Sequence, residues 1–214
     1  SLPYMHRPKV DDDPEIYRDY GEEISLPTPE ETAIQEPTPE ETAPGSRNAT
    51  LDRNPYSRFD FQFTRHNYLK LQNVPSSVGV DVSQYQGEID WNKVRASGVE
   101  FAIIRLGLRG YGQEGRMRED TCARQNLAGA KAAGLKIGVY FFSQALSIQE
   151  VDEEIQFILD ILPDTGTEPD MPVVLDWEIP AADNPRTKNM DGRTLTDIQL
   201  HFCGQMKKMG YQPM

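Results

Sequence analysis

Four apolar runs, each followed by a stretch with helical periodicity, constrain what this chain can fold into. The runs are 78–83 (VGVDVS), 99–107 (VEFAIIRLG), 135–143 (LKIGVYFFS) and 171–179 (MPVVLDWEI). After the first, 89–98 (IDWNKVRASG) reads as a helix closing on Gly98. After the second, 118–134 (REDTCARQNLAGAKAAG) is an Ala-rich helix ending at Gly134. The segment 147–162 (SIQEVDEEIQFILDIL) places Ile148, Val151, Ile155, Ile158, Leu159 and Leu162 on one face, with Pro163 as the expected stop. The spacing returns in 194–210 through Leu195, Ile198, Phe202 and Met206 to Gly210. Continuous apolar strands separated by amphipathic helices define an α/β protein with a parallel sheet under helices. Four such units fit half of an eight-fold barrel or a small doubly wound sheet. No Gly-rich phosphate loop follows the first strand, where DVSQYQG stands instead, which disfavours a nucleotide.

The chain ahead of Val78 differs in kind. Residues 1–50 are acidic and repeat PTPEETA at 27–33 and 37–43. Such a composition cannot bury enough apolar surface to offset chain entropy, so a disordered Pro/Thr/Glu-rich spacer is expected. Asn48 in NAT matches a glycosylation acceptor, with meaning only for a secreted protein in a host that glycosylates. Residues 51–77 form a lead-in carrying Tyr56, Phe59, Phe61, Phe63, Tyr68 and Leu69, expected to pack on the domain.

The net charge of −12 over 214 residues opposes a nucleic-acid partner, which would need clustered Lys and Arg. It gives no support to docking on an anionic membrane, and no run is long and apolar enough to span one. The histidines (His6, His66, His201) are scattered and no Cys/His cluster has ligand spacing, so neither metal nor cofactor is expected. Cys122 and Cys203 are read as structural thiols in preference to a disulfide.

Function in parallel α/β folds collects at the C-terminal strand ends. There the first run carries Asp81, the third Tyr140 and Phe142, and the fourth Asp176, Trp177 and Glu178. Alternation along a strand puts Asp176 and Glu178 on one face, about 6.5–7 Å apart at Cα, and Trp177 on the other. Two carboxylates so close repel, which raises the pKa of one and leaves the other ionised. An acid beside an ionised carboxylate suits glycosidic cleavage, and aromatic faces suit stacking on sugar rings. A cation site, or carboxylates paired with Arg at a rim, would produce the same pattern. Arg105, in an apolar strand, needs an anion, with Asp81 or a neighbouring acid as candidate. Trp91 and Trp177 are read as packing residues. Tyr111, in RGYGQEG, is placed to reach the cleft from a loop.

GVDVSQYQGEIDWNKVRASGVEFAIIRLG, GLKIGVYFFS and PVVLDWEI together resemble the family 25 glycoside hydrolases, the N-acetylmuramidase lysozymes. The likeness begins at Gly79 and runs to the last residue. It implies a flattened, irregular β/α barrel that cleaves the β-1,4 bond between N-acetylmuramic acid and N-acetylglucosamine in peptidoglycan. Residue by residue, the resemblance makes Glu178 the general acid. It makes Asp176 the carboxylate that stabilises developing positive charge or orients the substrate's acetamido group. Asp81 becomes an electrostatic partner, and Tyr140 an aromatic lining the cleft, where Phe142 and Tyr111 are added as substrate contacts. Peptidoglycan strands are then the expected partner, the chain a monomer, and the location extracellular or cell-surface, with any signal or anchor upstream of Ser1. A non-catalytic peptidoglycan-binding module is the competing class, and a hydrolase of another polysaccharide a third. The resemblance further implies strands beyond GYQPM, so 78–214 corresponds to the first half of such a domain. Little or no turnover is expected of that half alone.

Overall fold

A computed structural model describes residues 54–214. The acidic spacer and Asn48 lie outside the described residues. Strands β1 (Phe61–Phe63) and β2 (Leu69–Leu71) pair antiparallel as a hairpin. It meets the rest through Tyr68, whose side chain shares a 2.9 Å hydrogen bond with Ser97, and through Lys70 at 3.4 Å from Glu100. Packing was expected of this whole segment, but Phe59 is 75% and Phe63 68% exposed. A two-stranded ribbon has two faces and only one neighbour to cover them.

The main sheet contains β3 (Gly79–Val82), β4 (Phe101–Arg109), β5 (Met117–Glu119), β6 (Lys136–Ser143) and β7 (Val173–Trp177). Its order is β3-β4-β6-β7, all parallel, with β5 antiparallel against the far end of β4. Val173 also bridges Pro213 in parallel, and the N–H of Leu175 donates to Met214 O at 3.0 Å. The helices are α1 (Trp91–Ala96), α2 (Ala123–Ala132), α3 (Ile148–Asp164) and α4 (Gly192–Lys208). Asp90, Ser147 and Asp191 cap α1, α3 and α4 by accepting backbone N–H bonds, the usual remedy for orphan donors in a first turn.

Two expectations need correction. Residues 118 and 119 do not begin a helix; they belong to β5, and the helix starts at Ala123. Pro163 does not stop α3 but sits in its last turn, where the one i→i−4 bond it forgoes lies at the helix end and not in its interior. Thr165 closes that end by donating to Ile161 and Leu162, and Gly166 turns the chain at φ 62°.

One face of the sheet packs on the helices. Ile104, Leu106, Ile137, Val139, Phe141, Val173 and Leu175 bury against Leu127, Ile155, Ile158, Ile198, Phe202 and Met206. Trp91 joins this core against α2, where a Cβ at Gly129 would come within 2.4 Å of its ring. The opposite face, with Ile103, Tyr140, Phe142, Val174 and Asp176, is only half-buried. The β4–β6 register shifts between Arg105 and Gly107. Leu106 and Gly107 both lie toward the helices, as a bulge allows, and Arg109 is thereby aimed at α3.

A Cβ at Gly107 would stand 2.6 Å from the Phe157 ring and 2.7 Å from Arg118 O, the second being backbone that cannot swing away. Gly107→Ala is therefore expected to lower unfolding free energy by about 1–3 kcal/mol, the usual cost of overpacking. Urea denaturation of both chains measures it.

Candidate active site

The half-buried face gathers the acids. Asp81 on β3 is opposite Ile103, Arg105 on β4 opposite Tyr140, and Phe142 on β6 opposite Asp176. Adjacent strands lie about 4.8 Å apart, so these residues form neighbouring rows at one end of the sheet. Trp177 faces the other way, with its indole N–H donating to Ala145 O at 2.9 Å. β7 ends at Trp177, so Glu178 stands one residue beyond the ladder and is exposed, whereas Asp176 is half-buried. The strand expected through Ile179 is shorter than its apolar run.

Burial pushes the Asp176 carboxyl up from 3.8, and the charges of Glu178 and then Asp81 add to this, against Arg105. Burial also pushes the Tyr140 hydroxyl up to about 12, opposed by Arg105 and assisted by Asp81 and Asp176. Tyr140 thus stays protonated at neutral pH.

Arg105 is buried and its Nε donates to Asp120 at 2.7 Å, with the guanidinium 5.0 Å over the Tyr85 ring. The partner is therefore Asp120 and not Asp81. Asp120 is buried and also accepts from the N–H groups of Gln84 and Cys122, both at 2.9 Å. This fixes a positive charge under the acids. Cys122 and Cys203 are free thiols, both partly buried.

The loops around the acids hang on α3. Arg109 Nε donates to buried Glu154 at 2.7 Å, its Nη1 to Gly115 O at 3.1 Å and its Nη2 to Glu150 O at 2.8 Å. Glu154 also accepts from Ser143 Oγ at 2.6 Å; burial raises its pKa, against Ser143 and Arg109. Arg186 reaches Glu150 at 2.5 Å, and its N–H donates to Tyr111 O at 2.9 Å. The Tyr111 loop is thereby held against the loop that leaves Glu178. Sequence reading missed Asp120, Arg109, Glu154 and Gln144. Glu154 was recoverable, because it falls on the same helical face as Val151, Ile155 and Ile158.

The open face of this mostly parallel sheet brings together carboxylates from β3 and β7 with Arg105 and Tyr140, and comparison specifies the family. The family model for glycosyl hydrolases family 25 matches residues 80–214, and the chain belongs to that family. The autolytic lysozyme of Clostridium acetobutylicum is 39% identical over 67 residues, covering 31% of this chain and 19% of the relative. Lysozyme M1 of Streptomyces globisporus is 35% identical over 66 residues, covering 31% and 20%. These matches span about a fifth of the length of either relative. Among solved structures, the modular autolysin LytC of Streptococcus pneumoniae, in complex with a synthetic peptidoglycan ligand, aligns with a TM-score of 0.55 at 21% identity. That alignment covers 71% of this chain and 34% of LytC, and shows a shared fold. Among the described residues, no helix is long and apolar enough to cross a membrane.

Asp176→Asn is expected to stabilise the fold at neutral pH. The folded carboxyl has a raised pKa, so as pH rises the unfolded chain ionises first and the Asp-containing fold loses stability. The Asn advantage is therefore full above the raised value and vanishes below 3.8, the ordinary value. Melting temperatures across that range measure it.

Proposed function

We propose that this chain contributes the acid pair of a muramidase that cleaves the β-1,4 bond between N-acetylmuramic acid and N-acetylglucosamine in peptidoglycan. The observation that carries this reading is the placement of Asp176 and Glu178 at the exit of β7, on the open face that also carries Asp81 and Tyr140, in a chain of family 25. Glu178, exposed at the end of β7, is the general acid that protonates the glycosidic oxygen. Asp176, when ionised, faces the positive charge developing at the sugar ring or orients the substrate's acetamido group, and Asp81 supports it electrostatically. Arg105 opposes the mutual repulsion of these acids and so favours the ionised form of Asp176. Tyr140 and Phe142 form the aromatic side of the cleft, and Tyr111 closes it from its loop.

An irregular β/α barrel is the closed form we infer for the sheet, with the half-buried face as its interior. The bridge from Val173 to Pro213 supports this, because it adds a parallel partner at the β7 edge. The substrate implies a protein acting outside the cell or at its surface, and a monomer suffices for a site built from one chain's strands. The N-terminal 50 residues are then a spacer between the domain and its point of attachment.

Muropeptide release from purified peptidoglycan, followed by mass spectrometry, tests the reading. Products with N-acetylmuramic acid at the reducing end are expected from the whole protein to which these residues belong. Glu178→Gln is expected to lower the rate about 10²–10⁴-fold, the contribution of a positioned proton donor. Because Glu178 is exposed, folding stability should change by about 0.5 kcal/mol or less. Near-wild-type release by Glu178→Gln, reducing-end N-acetylglucosamine, or no product from that whole protein would each contradict it.

A further inference from the structure

Gln144 is fully buried one residue past β6, a place where an amide side chain must have a reason to be. Its Nε2 donates to Glu178 O at 2.6 Å and to Ser143 O at 3.0 Å, and its Oε1 accepts from Thr187 Oγ1 at 3.0 Å. Thr187 is also fully buried. The backbone ladder between β6 and β7 ends at Ser143 opposite Trp177. Glu178 is therefore the first residue without a strand partner, and the Gln144 amide takes the place of the next rung. The adjacent Ala145 carbonyl accepts the Trp177 indole N–H at 2.9 Å, so the two residues before and at the strand exit are both held from this turn.

We propose that Gln144, with Thr187 behind it, is the positioning residue for Glu178, and that the pair sets the angle at which this exposed acid enters the cleft. The proposal rests on the muramidase reading for its catalytic consequence and on the hydrogen bonds for its geometry. A planar amide can donate to a carbonyl and accept from a hydroxyl at once, whereas an apolar residue of the same length can do neither. Glu178 O is bonded to the exit of β6 and Thr187 to the same amide, so residues 178–187 form a loop fixed at both ends by one side chain. Arg186, next to Thr187, extends the anchorage to Glu150 and to Tyr111 O.

Gln144→Met keeps the length and removes all three side-chain hydrogen bonds, and Thr187→Val removes only the hydroxyl. Both are expected to lower kcat on soluble peptidoglycan fragments about 10–100-fold, the cost of displacing a reacting group by about an ångström. KM should stay within about twofold. Thr187→Ser, which keeps the hydroxyl, is expected to recover most of the rate. Amide exchange at Ala182 and Arg186 should quicken in Gln144→Met and Thr187→Val, while Val173 and Leu175 keep their protection. Unchanged exchange at Ala182 and Arg186 in both variants would overturn the anchorage, and faster exchange with unchanged kcat would overturn its catalytic meaning. If Gln144→Met does not fold, Thr187→Val and Thr187→Ser decide the matter. Glu178→Gln assayed alongside in the whole protein separates the two claims: if it retains turnover, or if the unsubstituted whole protein has none, the muramidase reading fails, and exchange alone judges the anchorage.

Discussion

The buried carboxylate of Glu154 is the constraint on which the sheet's working end depends. It receives Arg109 from the end of β4 and Ser143 from the end of β6, so one helix side chain ties two parallel strands at the same edge. Arg109 then carries the tie onward to Gly115 O in the Tyr111 loop and to Glu150 O in the first turns of α3. A buried ion pair of this kind adds little net stability, because desolvation opposes the Coulomb attraction. Its value lies in geometry: losing either partner leaves a charge without company, so the strands and α3 have few alternative arrangements.

That tie separates two kinds of surface on one sheet. The helix-covered face is apolar and closely filled, with the bulge at Leu106 and Gly107 turning Arg109 toward α3. The open face carries Asp81, Arg105, Tyr140 and Asp176, where burial and like charge hold Asp176 away from its ordinary titration. A fold selected for stability alone would not place repelling acids on one face with a single cation beneath them. Such a local cost is expected where a protein binds or transforms something.

Much of this was legible in the sequence. The parallel strands announce themselves as continuous apolar runs because both of their faces are covered or partly covered. The acids were visible because Asp176 and Glu178 interrupt such a run at its end. Trp177 was correctly turned away by the period of two. What escaped reading depends on contacts distant in sequence. The three residues of β5 are too few and too polar to show alternation, and they pair only because β4 extends beyond β3. Asp120 lies beside a helix start, where an acid is ordinarily a cap, and nothing local says that it will meet Arg105. Gln144 looks like a loop residue until Glu178 and Thr187, 34 and 43 positions away, are brought to it.

The central claim is that Asp81, Tyr140, Asp176 and Glu178 act on one glycan in one cleft. Titrating the isotope-labelled protein with a tetrasaccharide of alternating N-acetylglucosamine and N-acetylmuramic acid, while recording backbone and carboxylate resonances, tests this most directly. The account predicts that signals of all four residues move together, with one saturation curve. Shifts confined to the exposed Phe59 and Phe63 hairpin, or no shifts at the acids at saturating sugar, would contradict it.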